Sequence, residues 1–464
     1  MKTTFFIRRA AAMLLPALAF WLFLSCDDLV EVELPQNQLA GAAVFADAQT
    51  ADAALAGIYV QLRNSAFTAG TDTGLSCLLG HYADELGYYS SSSLPEQAFQ
   101  QNGLTATNAT VALLWNRTYS LVYSANAVIE GVEASAGIPE TAKARLLGEA
   151  YFLRGFLHFH LASLYGDVPY VETTDYTANS RLSKLPAGTV YAFAAADVEK
   201  AAGLLSDAYP AAERSRPNKS AAHALLARLH LYAGHWERAA AAATMVLENP
   251  SYVLESSLAN VFLKGSRGTI WQLFPAAAGG NTLEAQTFIF TAGPPPNRAL
   301  SSALVASFAP GDLRRTAWIG TVTSGTQSWH HAFKYRRNAN TGTSAEYSIQ
   351  LRIEEQYLIR AEARAMLGNT EGAREDLNLI RNRAGLGDTP AATAPALADA
   401  VLAERRWEFF TEHGHRWFDL KRRGQLDAAL SGLKPGWEST DSLLPLPHAE
   451  LLKNPNLLPQ NAGY

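Results

Sequence analysis

Apolar residues recur at spacings of three and four along much of the chain, a pattern that predicts amphipathic helices. The clearest stretches are 48–63, 111–132, 143–165 and 190–205. The segment 143–165 is apolar nearly all round, so we expect this helix to be buried. Gly166, Asp167 and Pro169 follow it and predict an abrupt end.

Two later segments share a helix-turn-helix pattern. The predicted helices are 220–232 and 236–247 in the first unit, and 353–367 and 371–383 in the second. The turns fall at Gly234 and Gly368. In each unit an alanine, Ala239 or Ala373, lies five residues after the turn glycine, where a small side chain lets two helices approach closely. This pattern is typical of tetratricopeptide repeats.

Between residues 251 and 347 the helical period fades. This span contains the run from Gly293 to Pro296 and a Ser/Thr-rich stretch at 321–328, which we expect to be a loop. Short strand-like runs occur at 269–274 and 287–291. The span is therefore interpreted as a loop-rich insertion on a helical frame, the kind of place where binding residues concentrate.

The amino terminus has the pattern of a lipoprotein leader. Three basic residues in the first nine precede an apolar run at 10–24, and Ser25 stands directly before Cys26. The pattern predicts a signal peptide at 1–25, lipid on Cys26 and a tether at 26–40. An ordinary cleaved secretory signal is the alternative.

Charge and cysteine content narrow the classes of partner. The formal net charge is −5 and becomes −8 without the leader's Lys2, Arg8 and Arg9, which argues against nucleic acid as the partner. The chain has two cysteines. If Cys26 carries lipid, no disulfide framework is available, and Cys77 is predicted to be a small buried apolar residue.

No motif for hydrolysis, phosphate binding or dinucleotide binding is present. We therefore predict no catalytic residues, no cofactor and no metal site. His158 and His160 point to different faces of one helix, which disfavours shared metal ligation. The adjacent carboxylates Asp84-Glu85 and Glu354-Glu355 do not have the separation that a glycosidase needs and are expected to be structural or solvated.

Aromatic residues are numerous, with nine Trp, eighteen Tyr and twenty Phe. An aromatic face next to Asn, Ser and Gln side chains can stack on a sugar ring while the polar groups bind its hydroxyls. Aromatics outside helices have less core to fill. The predicted ligand contacts are Tyr88 and Tyr89, which precede a serine run, and Trp271, Trp318 and Trp329 of the insertion.

The carboxyl-terminal sequence resembles a known family. Residues 404–410 read ERRWEFF, residues 412–420 read EHGHRWFDL, and the chain ends in QNAGY. These motifs, with LYGDVP at 164–169, are similar to those of the SusD/RagB family of cell-surface glycan- and nutrient-binding lipoproteins. The span 404–464 is interpreted as structural, with helical ion pairs Glu412–Arg416 and Asp419–Arg423.

The resemblance implies a mostly α fold: tetratricopeptide-like helix pairs forming a right-handed superhelical scaffold, with a loop-rich insertion on one face. It implies one domain over residues 41–464. It also implies a lipid-anchored protein of the outer membrane, exposed at the cell surface, that passes glycan to a SusC-like TonB-dependent transporter. A surface glycoside hydrolase and a tetratricopeptide-type protein-binding adaptor are the alternatives.

Overall fold

The computed structural model describes residues 41–434 and 436–464, so the predicted signal peptide, the lipidation site Cys26 and the tether lie outside the described residues. Phe45–Tyr464 forms one unit, and the short helix α1 (Gly41–Val44) belongs to another. Within the described part of the chain, every helix is too short or too polar to cross a lipid bilayer.

The first half of the unit is built from helices. They are α2 (Ala48–Asn64), α3 (Leu75–Tyr82), α4 (Gln97–Gln100), α5 (Ala109–Ala134), α6 (Glu140–Tyr165), α7 (Tyr176–Asn179), α8 (Ala187–Leu204), α9 (Lys219–Tyr232) and α10 (Trp236–Leu247). Several begin where a polar side chain accepts hydrogen bonds from the first free backbone N–H groups: Asp47 before α2, Asn108 before α5 and Asn218 before α9.

The second half mixes short helices with three longer ones. They are α11 (Leu283–Phe288), α12 (Ser302–Ser307), α13 (Leu313–Ala317), α14 (Ile353–Met366), α15 (Thr370–Arg383), α16 (Ala394–Phe409), α17 (His415–Arg422), α18 (Leu426–Leu430) and α19 (His448–Lys453). Short 3₁₀ turns occupy Ala212–Arg214, Ser439–Ser442 and Pro455–Leu457.

The strands form small antiparallel pairs. They are β1 (Leu86–Tyr88) with β3 (Arg298–Leu300), β2 (Thr269–Leu273) with β6 (Ser348–Arg352), and β4 (Ile319–Ser324) with β5 (Gln327–Ala332). In the β1–β3 pair, Tyr88 lies opposite Arg298. In the β4–β5 hairpin, Val322 lies opposite Trp329. Each pair is a separate two-stranded sheet beside the helices.

The longer helices form a continuous ribbon in which each helix packs against the next. Its order is α2, α5, α6, α8, α9, α10, α14, α15 and α16. The insertion at 251–347 leaves the chain between α10 and α14, yet these two helices pack directly together. The insertion therefore adds a layer of loops without interrupting the scaffold, and the mostly α, tetratricopeptide-like architecture is confirmed.

Both predicted helix-turn-helix units are present. Gly234 and Gly368 at their turns have positive φ angles of 72° and 81°, which glycine adopts without the strain of a side chain. Ala239 and Ala373 have no exposed surface. Each lies on the second helix of its pair, α10 or α15, and that helix packs against the first.

The carboxyl-terminal half of helix α6 is buried, as the apolar composition predicted. Every residue from Phe152 to Tyr165 is buried, and Gly166 ends the helix with a φ of 77°. Both histidines of this helix have structural roles: Nδ1 of His158 contacts the Arg154 carbonyl and Nδ1 of His160 contacts that of Phe156. Cys77 is also buried, as predicted.

Two expectations for the insertion were wrong. Residues 287–291 do not form a strand, because Thr287 and Phe288 end helix α11, which begins after the capping side chain of Thr282. The Ser/Thr-rich stretch 321–328 is not an open loop. It forms most of the β4–β5 hairpin, because Thr and Val favour strands and Gly325 supplies a positive φ of 59° at the turn.

The predicted helical ion pairs of the carboxyl-terminal motif are also wrong. A turn separates α16 from α17, with positive φ at Thr411, His413 and Gly414, so Glu412 is not on a helix. Glu412 instead binds Lys334 Nζ at 2.5 Å and Arg352 Nε at 2.9 Å. The structural interpretation of the motif holds, but its partners are distant in sequence.

The remaining members of those predicted pairs have other partners too. Arg416 binds Asp84 at 2.8 Å. Asp419 accepts hydrogen bonds from Arg405 and Arg422, and Arg423 lies 3.5 Å from Glu362. These contacts tie the carboxyl-terminal segment to the helical frame.

Candidate functional site

Three short strands of the loop-rich face lie next to one another. β3 pairs with β1 on one side and contacts β5 of the β4–β5 hairpin on the other. The backbone N–H of Tyr89 donates to the Asn297 carbonyl at 2.7 Å, which extends the β1–β3 pairing by one residue. This arrangement brings the predicted contacts Tyr88 and Tyr89 into the same neighbourhood as Trp329. We call these three residues the aromatic ridge.

Tyr88 and Tyr89 have different roles in the ridge. The Tyr88 hydroxyl donates to the Ser92 carbonyl and accepts from the Leu94 N–H at 3.1 Å. Tyr88 therefore holds the serine loop in place. Tyr89 is 45% exposed. Its ring is the more accessible of the two to a ligand.

Trp329 lies on β5 and is partly exposed. One edge of its indole ring rests on Gly293, where an added Cβ would lie 2.3 Å from a ring carbon. Only glycine permits this approach. The indole is therefore held against the backbone on one side, while part of its surface stays open.

Trp271 and Trp318, the other two predicted contacts, have no exposed surface. Trp271 packs edge-on against Tyr59, Phe152 and Phe156, with ring centroids 5.1 to 6.4 Å apart. These two tryptophans are core residues that a ligand cannot reach in this structure. Trp271 packs where the insertion meets the helical frame, so its position in a Gly/Pro-rich span did not indicate exposure.

Trp318 belongs to the core of the insertion itself. Its Nε1 donates to the Leu258 carbonyl at 3.0 Å, and its ring packs edge-on against Phe262 with a centroid separation of 5.4 Å. The Nζ of Lys334 lies 5.1 Å from the Trp318 ring centroid. The indole thus serves as packing and as a cation–π partner inside the protein.

A pocket of about 230 Å³ opens in the insertion, beside the end of α2. Its polar side chains include Arg63, Asn64, Gln286, Asn340 and Tyr347. Phe274 lies in its wall, 38% exposed, with the Arg63 guanidinium 5.2 Å from the ring centroid. Amides, a guanidinium and an open aromatic face are groups that bind sugar hydroxyls and stack on sugar rings.

The sequence did not single out these pocket residues. Arg63 and Asn64 end helix α2, which belongs to the scaffold, and Gln286 lies directly before the stretch 287–291 that was expected to be a strand. The available signal was Phe274, an aromatic residue directly before Pro275 in a span rich in glycine. Only the fold brings α2 beside the insertion.

Helix α11 connects the pocket to the aromatic ridge. Leu283 and Gln286 line the pocket, and the carbonyl of Thr287 at its other end accepts from Arg298 Nη1 of β3 at 2.8 Å. Pocket and ridge therefore belong to one continuous loop-rich face.

The paired carboxylates proposed as a hydrolase alternative are occupied by internal contacts. Asp84 binds Arg406 at 2.7 Å, and Glu355 binds Arg228 at 2.6 Å. Glu354 binds Arg383 at 2.7 Å. All three carboxylates are buried. They act as structural counter-ions, as the sequence analysis expected.

Glu85 anchors the start of β1 to the carboxyl-terminal turn. Its Oε2 accepts from the Thr411 N–H at 3.2 Å, while Oε1 has no partner within the described residues. Burial, together with the neighbouring Asp84 carboxylate, raises the pKa of Glu85 to about 7. Glu85 therefore binds a proton more tightly in the folded protein than in the unfolded chain.

Comparisons with known proteins agree with this architecture. Residues 54–231 match a family model of SusD-like proteins described as starch-binding and associating with the outer membrane, and residues 314–464 match the SusD family model. A SusD-like protein of Formosa agariphila is 28% identical over 502 residues, covering 95% of this chain and 97% of the relative.

Solved structures show the same fold. A SusD superfamily protein from Bacteroides vulgatus aligns with a TM-score of 0.77 at 20% identity, covering 90% of this chain and 100% of that one. A laminarin-binding SusD-like protein aligns with a TM-score of 0.74 at 22% identity, covering 90% and 99%. The chain belongs to the SusD/RagB family.

The raised pKa of Glu85 predicts a pH dependence of stability. Glu85 has a pKa of about 7 in the folded protein and 4.5 in the unfolded chain. Its contribution to stability is therefore fully present below pH 4.5 and is lost as the pH rises through 7. Over this range the free energy of unfolding falls by at most about 1.4 kcal/mol per pH unit. In urea unfolding between pH 4.5 and pH 7, we expect Glu85→Gln to lack this pH-dependent fall in the free energy of unfolding. Glu371→Gln, at an exposed position, is the matched control and should keep it. An unchanged pH profile in Glu85→Gln would contradict the assignment.

Proposed function

We propose that this protein is a cell-surface lipoprotein that binds an oligo- or polysaccharide and delivers it to a SusC-like TonB-dependent outer-membrane transporter. The observation that carries the proposal is the loop-rich face: Tyr89 and Trp329 present open aromatic surface on adjacent strand pairs fixed to a rigid helical frame. Membership of a family with a glycan-binding structural relative supports the ligand class.

The aromatic ridge and the pocket of the same face suit different parts of one ligand. Tyr89 and Trp329 offer flat surfaces for stacking on the apolar face of a sugar ring. Arg63, Asn64 and Gln286 offer hydrogen bonds for its hydroxyls. A chain of several sugar units that follows the face would contact both. This division predicts that long oligosaccharides bind better than single sugars.

Binding without catalysis agrees with the electrostatics of the protein. Asp84, Glu354 and Glu355 are buried and paired with arginines. Glu85 is buried and accepts a hydrogen bond from the Thr411 N–H. Captured glycan would therefore leave chemically unchanged, and the energy for uptake would come from the transporter. The hydrolase alternative predicts product release in a turnover assay on whichever glycan binds. The adaptor alternative predicts binding of protein by the helical ribbon and no glycan ligand.

The ridge is tested by removing its two open aromatic faces. Because each aromatic contact contributes about 0.5–1.5 kcal/mol, Tyr89→Ala with Trp329→Ala should weaken binding about 5- to 140-fold. Isothermal titration against a panel that includes laminarin, starch and other soluble polysaccharides measures the effect. Tyr123→Ala, which removes a tyrosine that is 55% exposed on α5, is the control and should keep full affinity. Equal affinity of the double variant and wild type would exclude the ridge as the site.

The membrane anchor is tested at Cys26, which lies outside the described residues. Two or three acyl chains hold a protein on a bilayer durably, whereas one chain is marginal. Wild-type protein expressed in its own host should fractionate with outer membranes and incorporate labelled fatty acid. Cys26→Ala should lose the label and leave the membrane fraction. A labelled Cys26→Ala protein would contradict lipidation at this residue.

A further inference from the structure

Three buried side chains with the chemistry of metal ligands meet beneath the aromatic ridge. Cys77 and His81 lie four residues apart on α3, which places them on the same face of that helix. Glu96 comes from the residue before α4. One ligand atom from each lies within 4.8 Å of the other two, and each of the three side chains is fully buried.

Two of these side chains direct an unused atom into the protein. His81 Nδ1 contacts Gln100 Oε1 at 3.0 Å, and its Nε2 has no hydrogen-bond partner within the described part of the chain. Glu96 Oε1 accepts from the Arg298 guanidinium, and Glu96 Oε2 is likewise without a partner there. Buried polar atoms are normally satisfied, so these two atoms beside a thiol are available to bind a ligand.

We propose that Cys77, His81 and Glu96 bind one zinc ion. Thiolate sulfur, imidazole nitrogen and carboxylate oxygen are the three ligand types that zinc takes in proteins, and a water can complete four-coordination. Binding replaces the proton of the thiol: the Cys77 S–H bond breaks, a sulfur–zinc bond forms and the proton leaves to solvent. No oxidant or reductant is required.

The groups around the cluster are those that support a zinc ligand set. Gln100 Oε1 accepts from Nδ1 of His81, which fixes the ring and its tautomer and leaves Nε2 available to bind the ion. Arg298 holds the second oxygen of Glu96. Arg298 is also the residue opposite Tyr88 in the β1–β3 pair. The ion would therefore connect α3, α4 and the base of the ridge.

The proposal is tested on the purified mature protein with zinc and cobalt as probes. After loading and dialysis, elemental analysis should find one zinc per chain, and cobalt should give a thiolate charge-transfer band in the near ultraviolet. Cys77→Ala and His81→Gln should lose both signals. Gln100→Ala should keep the ligands and weaken zinc binding about 10- to 100-fold. The control His330→Gln, on the exposed hairpin, should bind one zinc per chain.

The melting temperature gives a second readout of zinc binding. Zinc should raise the melting temperature of wild type but not of Cys77→Ala, and circular dichroism identifies any variant that does not fold. Wild-type protein that is folded but takes up no zinc or cobalt overturns the proposal, as does Cys77→Ala that keeps one zinc per chain. The readouts require no glycan, so the outcome is independent of the proposed function.

Discussion

The structure depends on a buried charge network centred on Glu408. Its carboxylate accepts hydrogen bonds from Arg352 at 2.7 Å, Arg383 at 2.6 Å and Arg314 at 3.1 Å, and it has no exposed surface. Burial alone would raise the pKa of Glu408, but the three guanidiniums hold it well below its usual range. Removing one partner from such a site typically costs about 3–5 kcal/mol, because the remaining charges are left buried and uncompensated.

The network stabilises the whole fold because its members come from different parts of the chain. Arg314 belongs to the insertion, Arg352 begins the second repeat unit, and Arg383 ends it. The family motif thus fastens the loop-rich insertion to the last helices of the ribbon. A second insertion residue, Lys334, reaches the same region through Glu412. The frame can then present the aromatic ridge on short strand pairs that would not be stable alone.

Local patterns predicted much of this fold, and long-range contacts explain where they failed. The repeat units around Gly234 and Gly368 follow from periodicity and turn chemistry, which are local. Trp271 and Trp318 were misjudged because burial depends on tertiary packing. Trp271 packs against helices α2 and α6, and Trp318 packs against other residues of the insertion. The pairing of Glu412 with Arg352 spans 60 residues and has no counterpart in local spacing. The pocket residues, drawn from α2 and the insertion, could not be grouped without the fold for the same reason.

Hydrogen exchange with and without a bound polysaccharide tests the central claim most directly. A ligand held by contact on the loop-rich face should protect backbone amides in 86–94, 293–300 and 319–332, while amides of the helical ribbon keep their exchange rates. That pattern is expected from a rigid frame with its site on the attached loops. Protection confined to helices α9, α10, α14 and α15, with the loop face unchanged, would contradict the account and favour the helical groove as the working surface.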